Sequence, residues 1–197
     1  RDRRLERGER EDSRETRPVS ALEALAEHRE LTVLGKAGSG KSTFGASVLL
    51  ALAQVWQGHH AELARLGERW THDAPFPIRV VLRRFAEQLP PGDPSARTGD
   101  LWNFIARNLS ESGYGLSADT MRYVQRIARD HGALILLDGL DECGSGATRR
   151  RVLSAVDEIK RTAGRKCRFL LTARPYAWPG GPNPARGVYA LADLNDA

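Results

Sequence analysis

The residues most able to do chemistry lie in the stretch Leu31-Thr32-Val33-Leu34-Gly35-Lys36-Ala37-Gly38-Ser39-Gly40-Lys41-Ser42-Thr43. It fits the pattern G-x-x-x-x-G-K-[ST], with Gly35, Gly40, Lys41 and Ser42 at the fixed positions. The chemistry of that spacing is phosphate binding. A phosphate chain can lie against backbone N–H groups only where no Cβ intervenes, which suits Gly35, Gly38 and Gly40. A helix starting there adds unpaired N–H groups and its positive dipole end. Lys41 then reaches the β- and γ-phosphates, and the Ser42 hydroxyl is placed for Mg²⁺. The expected phosphate site is the whole loop, with Lys36, Ala37, Ser39 and Thr43 between and after those positions. A glycine-rich turn matching by accident is the competing explanation, and a chain of this length does so on the order of 1% of the time.

Two later segments supply groups that a bound triphosphate needs. The apolar run Ala133-Leu134-Ile135-Leu136-Leu137 ends in Asp138-Gly139-Leu140-Asp141-Glu142. Acidic side chains at the carboxyl end of a central strand face the crevice where open α/β sheets bind ligands. Asp138 is the expected Mg²⁺ carboxylate, and either Asp141 or Glu142 can polarise an attacking water. Thr172-Ala173-Arg174-Pro175 closes another apolar run, and the planar fork of Arg174 suits a γ-phosphate.

Strands and helices must alternate to bring these pieces together. Leu31–Leu34 is expected as the first strand, followed by a buried helix from Lys41 to about His60 and helical composition as far as Trp70. Residues 77–82, 133–137, 167–172 and 188–191 read as further strands. Helices are expected at 19–28 (Ser20 as cap, Glu23 three residues on), 101–109, 118–130 and 152–159. Met121, Val124, Ile127 and Ala128 recur at helical spacing and are assigned to the core. Leu89–Pro94, Ser112–Gly115 and Pro179–Pro184 are loops by composition. The pattern predicts an α/β fold around a mainly parallel sheet.

Bulk properties narrow the class. At 197 residues the chain fits one domain, with residues 1–17 a charged linker or tail and 18–197 the folded unit. No apolar run approaches a membrane span and the N-terminus is charged, so a membrane partner and a secretory signal are excluded from the reading. Two cysteines, Cys143 and Cys167, are too few for a disulfide framework, which makes a cytoplasmic protein the default. The net charge of +5 comes from basic residues interleaved with acids, which disfavours nucleic acid as a partner.

Together, Gly35-x-x-Gly38-x-Gly40-Lys41-Ser42-Thr43, Asp138-Gly139-Leu140-Asp141-Glu142 and Thr172-Ala173-Arg174-Pro175 resemble the NACHT domain, a signalling P-loop NTPase of the STAND class. Pro77-Ile78-Arg79-Val80-Val81-Leu82-Arg83-Arg84-Phe85 looks like that family's second strand and the segment after it. The resemblance implies a five-stranded sandwich with the Arg174 strand between the phosphate-loop strand and the acidic strand. It implies ATP or ADP with Mg²⁺ as ligand, slow hydrolysis, and a nucleotide state that controls homo-oligomerisation of a longer protein with effector and sensor domains, in a bacterial setting antiphage defence. It also implies site roles: Lys41 and Ser42 on phosphate and Mg²⁺, Asp138 on Mg²⁺, Asp141 and Glu142 as hydrolytic acids, Arg174 on the γ-phosphate. Pro18 and Val19 would begin the adenine pocket. The family's helical lid and winged-helix histidine would lie beyond Ala197, so the resemblance describes an NTPase core. The rival readings are a nucleic-acid-stimulated ATPase of the AAA+ kind and a P-loop small-molecule kinase, with Arg149-Arg150-Arg151 as its only lid-like cluster.

Overall fold

The computed structural model describes residues 19–89, 98–111 and 120–192. The expected tail at 1–17 and the loops at 90–94 and 112–115 lie outside them, as does Pro18. Five parallel strands, β1 (Glu30–Leu34), β2 (Phe76–Val81), β3 (Ala133–Asp138), β4 (Arg168–Ala173) and β5 (Val188–Ala190), form one sheet in the order β2-β3-β4-β1-β5. The strand carrying Arg174 at its end therefore lies between the phosphate-loop strand and the acidic strand. Every residue of β3 is buried, as suits a strand covered on both faces.

Strand parity divides the interior into two layers. Leu31, Val33, Leu134, Leu136 and Leu170 face α1 (Ala21–Glu27) and α2 (Lys41–Trp56). Ile78, Val80, Ile135, Leu137, Phe169 and Leu171 face the other way. There they meet α3 (Leu82–Glu87), α4 (Thr98–Glu111), α5 (Thr120–Asp130) and α6 (Gly146–Thr162). Helices on both faces of a parallel sheet make the three-layer sandwich of P-loop NTPases.

Local signals account for the helix starts. Ser20 and Glu23 form a reciprocal capping box on α1, with Ser20 Oγ accepting from the Glu23 N–H at 3.1 Å and the Glu23 carboxylate accepting from the Ser20 N–H at 3.0 Å. Ser145 caps α6, which begins six residues before the apolar run at Val152 because Thr148–Arg151 is polar but helical. Val124 and Ala128 are core residues as expected.

The second helix differs from expectation. It ends at Trp56, and residues His60–Leu66 form a 3-10 segment rather than a continuation. Only one side of it is buried, through Gly45, Val48, Ala51, Leu52 and Val55, while Thr43, Ser47 and Leu50 face outward. Among the described residues a single helix layer covers this face of the sheet, so Thr43, Ser47 and Leu50 on the far side of α2 stay exposed. Gly45 lets the helix lie close to the sheet, because a Cβ there would come within 2.8 Å of the Leu136 side chain.

Candidate functional site

Parallel strands put their following loops at one pole, so the segments after β1, β3 and β4 converge there. The loop after β1 turns into α2 at Gly40, which holds φ +86°, a left-handed conformation that glycine adopts at little cost. No side chain caps α2, in contrast to α1 and α6, and no acid sits in its first turn, in contrast to α1. Its leading N–H groups and dipole remain directed at the loop. The Lys41 ammonium donates to the Gly35 and Lys36 carbonyls, each at 2.7 Å, and to Ser39 Oγ at 3.2 Å. These bonds curl the loop around its own lysine. Gly35 serves this packing: a Cβ there would strike Ser39 Oγ.

Asp138, the last residue of β3, has its side chain on the α2 face, 8% exposed. Its Oδ1 accepts from Ser42 Oγ at 3.0 Å and from Thr172 Oγ1 at 2.8 Å; its Oδ2 accepts from the Arg79 guanidinium at 2.7 Å. Burial alone would push this carboxyl's pKa up. The bonds from Arg79, Thr172 and Ser42 outweigh burial and hold it below the usual value. The Thr172 hydroxyl also accepts from the Gly139 N–H at 2.9 Å, so it ties the end of β4 to the turn after β3. Gly139 makes that turn at φ +80°.

The remaining acids divide. Asp141 is tied to Arg174, whose Nε donates to Oδ2 at 2.9 Å and whose backbone N–H donates to Oδ1 at 3.1 Å. The Asp141 side chain is only 8% exposed, against 44% for Arg174. Glu142 is exposed in the same 3-10 turn. Lys41 joins the three segments electrostatically. Partial burial pushes its pKa down, Asp141 and Asp138 pull it up, and Arg174 pushes it down.

Thus the structure gathers Gly35–Thr43, Asp138, Asp141, Glu142 and Arg174 at one pole. Val19 lies 44% exposed just ahead of α1. Sequence reasoning misses two residues of the cluster, Thr172 and Arg79. The alternation of β2 offers a signal for Arg79: Ile78 and Val80 are buried in the far layer, which leaves Arg79 on the α2 face.

The donor set fits a hard cation. Ser42 hydroxyl and Asp138 carboxylate offer oxygen only, and among the described residues no group of three or more His, Cys, Asp and Glu converges as a metal site. Mg²⁺ commonly uses one or two protein oxygens and completes its shell with phosphate and water.

A second concavity, about 440 Å³, lies at the opposite pole and is lined by Arg29, His72, His131, Arg165, Lys166 and Arg168 among others. Its cations are largely spent on the fold. Arg29 donates to the carbonyls of Lys160, Gly164 and Cys167, Arg168 to those of Leu25, Ala26 and His28, and Lys166 to that of Asp130. They satisfy chain ends where α1, α5 and α6 terminate, as cations at helix C-termini do. Arg149, from the lid-like cluster, stacks over Tyr176 with 5.8 Å to the ring centroid.

Comparison with curated proteins and with solved structures returned no match. A family model described as "Nephrocystin 3, N-terminal" matches residues 19–174, an interval that opens just before α1 and closes on Arg174. The chain belongs to the nephrocystin 3 N-terminal family.

Proposed function

We propose that this domain is a nucleotide-dependent switch of the NACHT kind: it binds ATP or ADP with Mg²⁺, hydrolyses ATP slowly, and through its nucleotide state controls oligomerisation of a longer sensor protein, with antiphage defence as the setting if the source is bacterial. The observation that carries the reading is the 3.0 Å bond from Ser42 to Asp138, which joins the phosphate loop to an acidic strand end 96 residues away. A solvated acidic loop would have no reason to meet that serine.

In this reading the loop N–H groups and Lys41 hold the β- and γ-phosphates. Ser42 and Asp138 would hold Mg²⁺, which would supply positive charge to the bound phosphates. Glu142 orients the attacking water, since it is the exposed acid of the pair. Asp141 acts through Arg174, keeping the guanidinium beside the phosphate end of the cleft. Val19, just ahead of α1, borders the adenine.

Fluorescent ADP and ATP titrations in Mg²⁺ test this, comparing the unmodified protein with Lys41→Ala. The expected result is a loss of affinity of at least tenfold, about 1.4 kcal/mol. Equal affinity in the two proteins refutes the phosphate-loop role.

A further inference from the structure

The nucleotide reading does not require a cation at the position of Arg79. It sits on edge strand β2 in register with Leu136, and Val81 is in register with Asp138. Two residues apart in register and on the same face, Arg79 reaches diagonally across to Asp138 Oδ2 at 2.7 Å. The Arg79 side chain is 51% exposed and that of Asp138 8%. An ion pair between two exposed groups contributes little, but here the anion is withdrawn from water and the bond is charge-assisted. With Ser42 and Thr172 on Oδ1, both carboxylate oxygens are engaged by protein donors and the charge is matched within the protein.

From this geometry, and resting on the nucleotide reading above, we infer that Arg79 is a resident counter-cation that competes with the divalent metal for Asp138. It holds the carboxylate in place when no metal is bound. It also sets a fixed positive charge against any metal arriving at Ser42, so this protein holds divalent metal less tightly than the Ser42–Asp138 pair alone would. Arg79 is a positioning residue that tunes metal affinity and touches no reacting atom.

The test is Mn²⁺ binding in saturating ADP, read from the free-Mn²⁺ electron paramagnetic resonance signal. The unmodified protein is compared with Arg79→Gln, Arg79→Leu and Arg79→Lys. Gln and Leu remove the charge and are expected to tighten Mn²⁺ binding about tenfold, the scale of one charge-assisted hydrogen bond. Lys keeps the charge and is expected to stay within about threefold of the unmodified protein. Placing Arg79→Gln in an Asp138→Asn background should abolish the gain. Unchanged or weaker Mn²⁺ binding in both neutral variants overturns the inference while leaving nucleotide binding intact. Unfolding of both assigns Arg79 to the fold and also overturns it. An unmodified protein that binds neither ADP nor Mn²⁺ overturns the nucleotide reading and this inference together.

Discussion

Replacing Thr172 by Val tests how the fold holds Asp138 in place. Thr172 is 1% exposed, and Val keeps its shape while removing the hydroxyl. That hydroxyl donates to Asp138 Oδ1 at 2.8 Å and accepts from the Gly139 N–H at 2.9 Å. A hydrogen bond to a charged group contributes about 1.5–3 kcal/mol and a neutral one about 1 kcal/mol, and both partners here are left inside the protein. The expected loss is about 3 kcal/mol. For a domain of this size that lowers Tm by roughly 6–12 °C. Urea unfolding followed by circular dichroism reads it as a lower midpoint at unchanged slope. Thr172→Ser keeps the hydroxyl and is expected to lose about 1 kcal/mol, from the missing methyl. A loss under about 0.5 kcal/mol for Val would mean that the hydroxyl carries neither Asp138 nor the Gly139 turn.

Three further outcomes rest on the same geometry. Because the folded protein depresses the Asp138 pKa, the unfolded chain takes up its proton first as pH falls. The stabilisation from Asp138 is therefore complete above the ordinary carboxylate value of about 4 and is lost as pH drops through the folded value. Thermal melts between about pH 5 and about pH 2.5 should show Asp138→Asn losing less Tm than the unmodified protein, and parallel curves would contradict this. Burial pushes the Cys143 thiol up to about 12, with Asp141 and Glu142 adding to the shift. Cys143 should therefore resist iodoacetamide at neutral pH until the protein unfolds, and rapid native-state labelling would show the site to be open. Asp141→Asn and Arg174→Gln should be non-additive in stability by about 0.5–1 kcal/mol, a modest coupling because Arg174 is partly exposed, and full additivity would break the pairing.

The parts of the site that are legible in the sequence are those whose chemistry fixes a spacing. Gly35, Gly40, Lys41 and Ser42 are bound to one loop, and Asp138 to the end of an apolar run, so their meeting at one pole is assured once the sheet is parallel. Elements whose limits depend on packing are less legible. The apolar run of α2 reads as buried on most of its surface, yet Leu50 is 54% exposed because only one helix layer covers that face. The segment His60–Leu66 has helical composition, but Gly58 precedes it at φ +98° and the chain resumes as 3-10. Apolar periodicity starts α6 at the first core residue, Val152, whereas Ser145 sets the true start by capping. Thr172 and Arg79 escape for another reason. Their role depends on which strand lies beside β3, and strand order is written in no single segment. That order comes from the NACHT resemblance, and the sheet has it.

In the proposed switch a nucleotide's phosphates and metal sit at the pole shared by the loop Gly35–Thr43 and Asp138. A crystal structure of the protein with magnesium and a non-hydrolysable ATP analogue tests this most directly. The β-phosphate is expected against Lys41 and the loop N–H groups, with the metal held by Ser42 and Asp138. Phosphate density instead among Arg165, Lys166 and Arg168 at the opposite pole would contradict it.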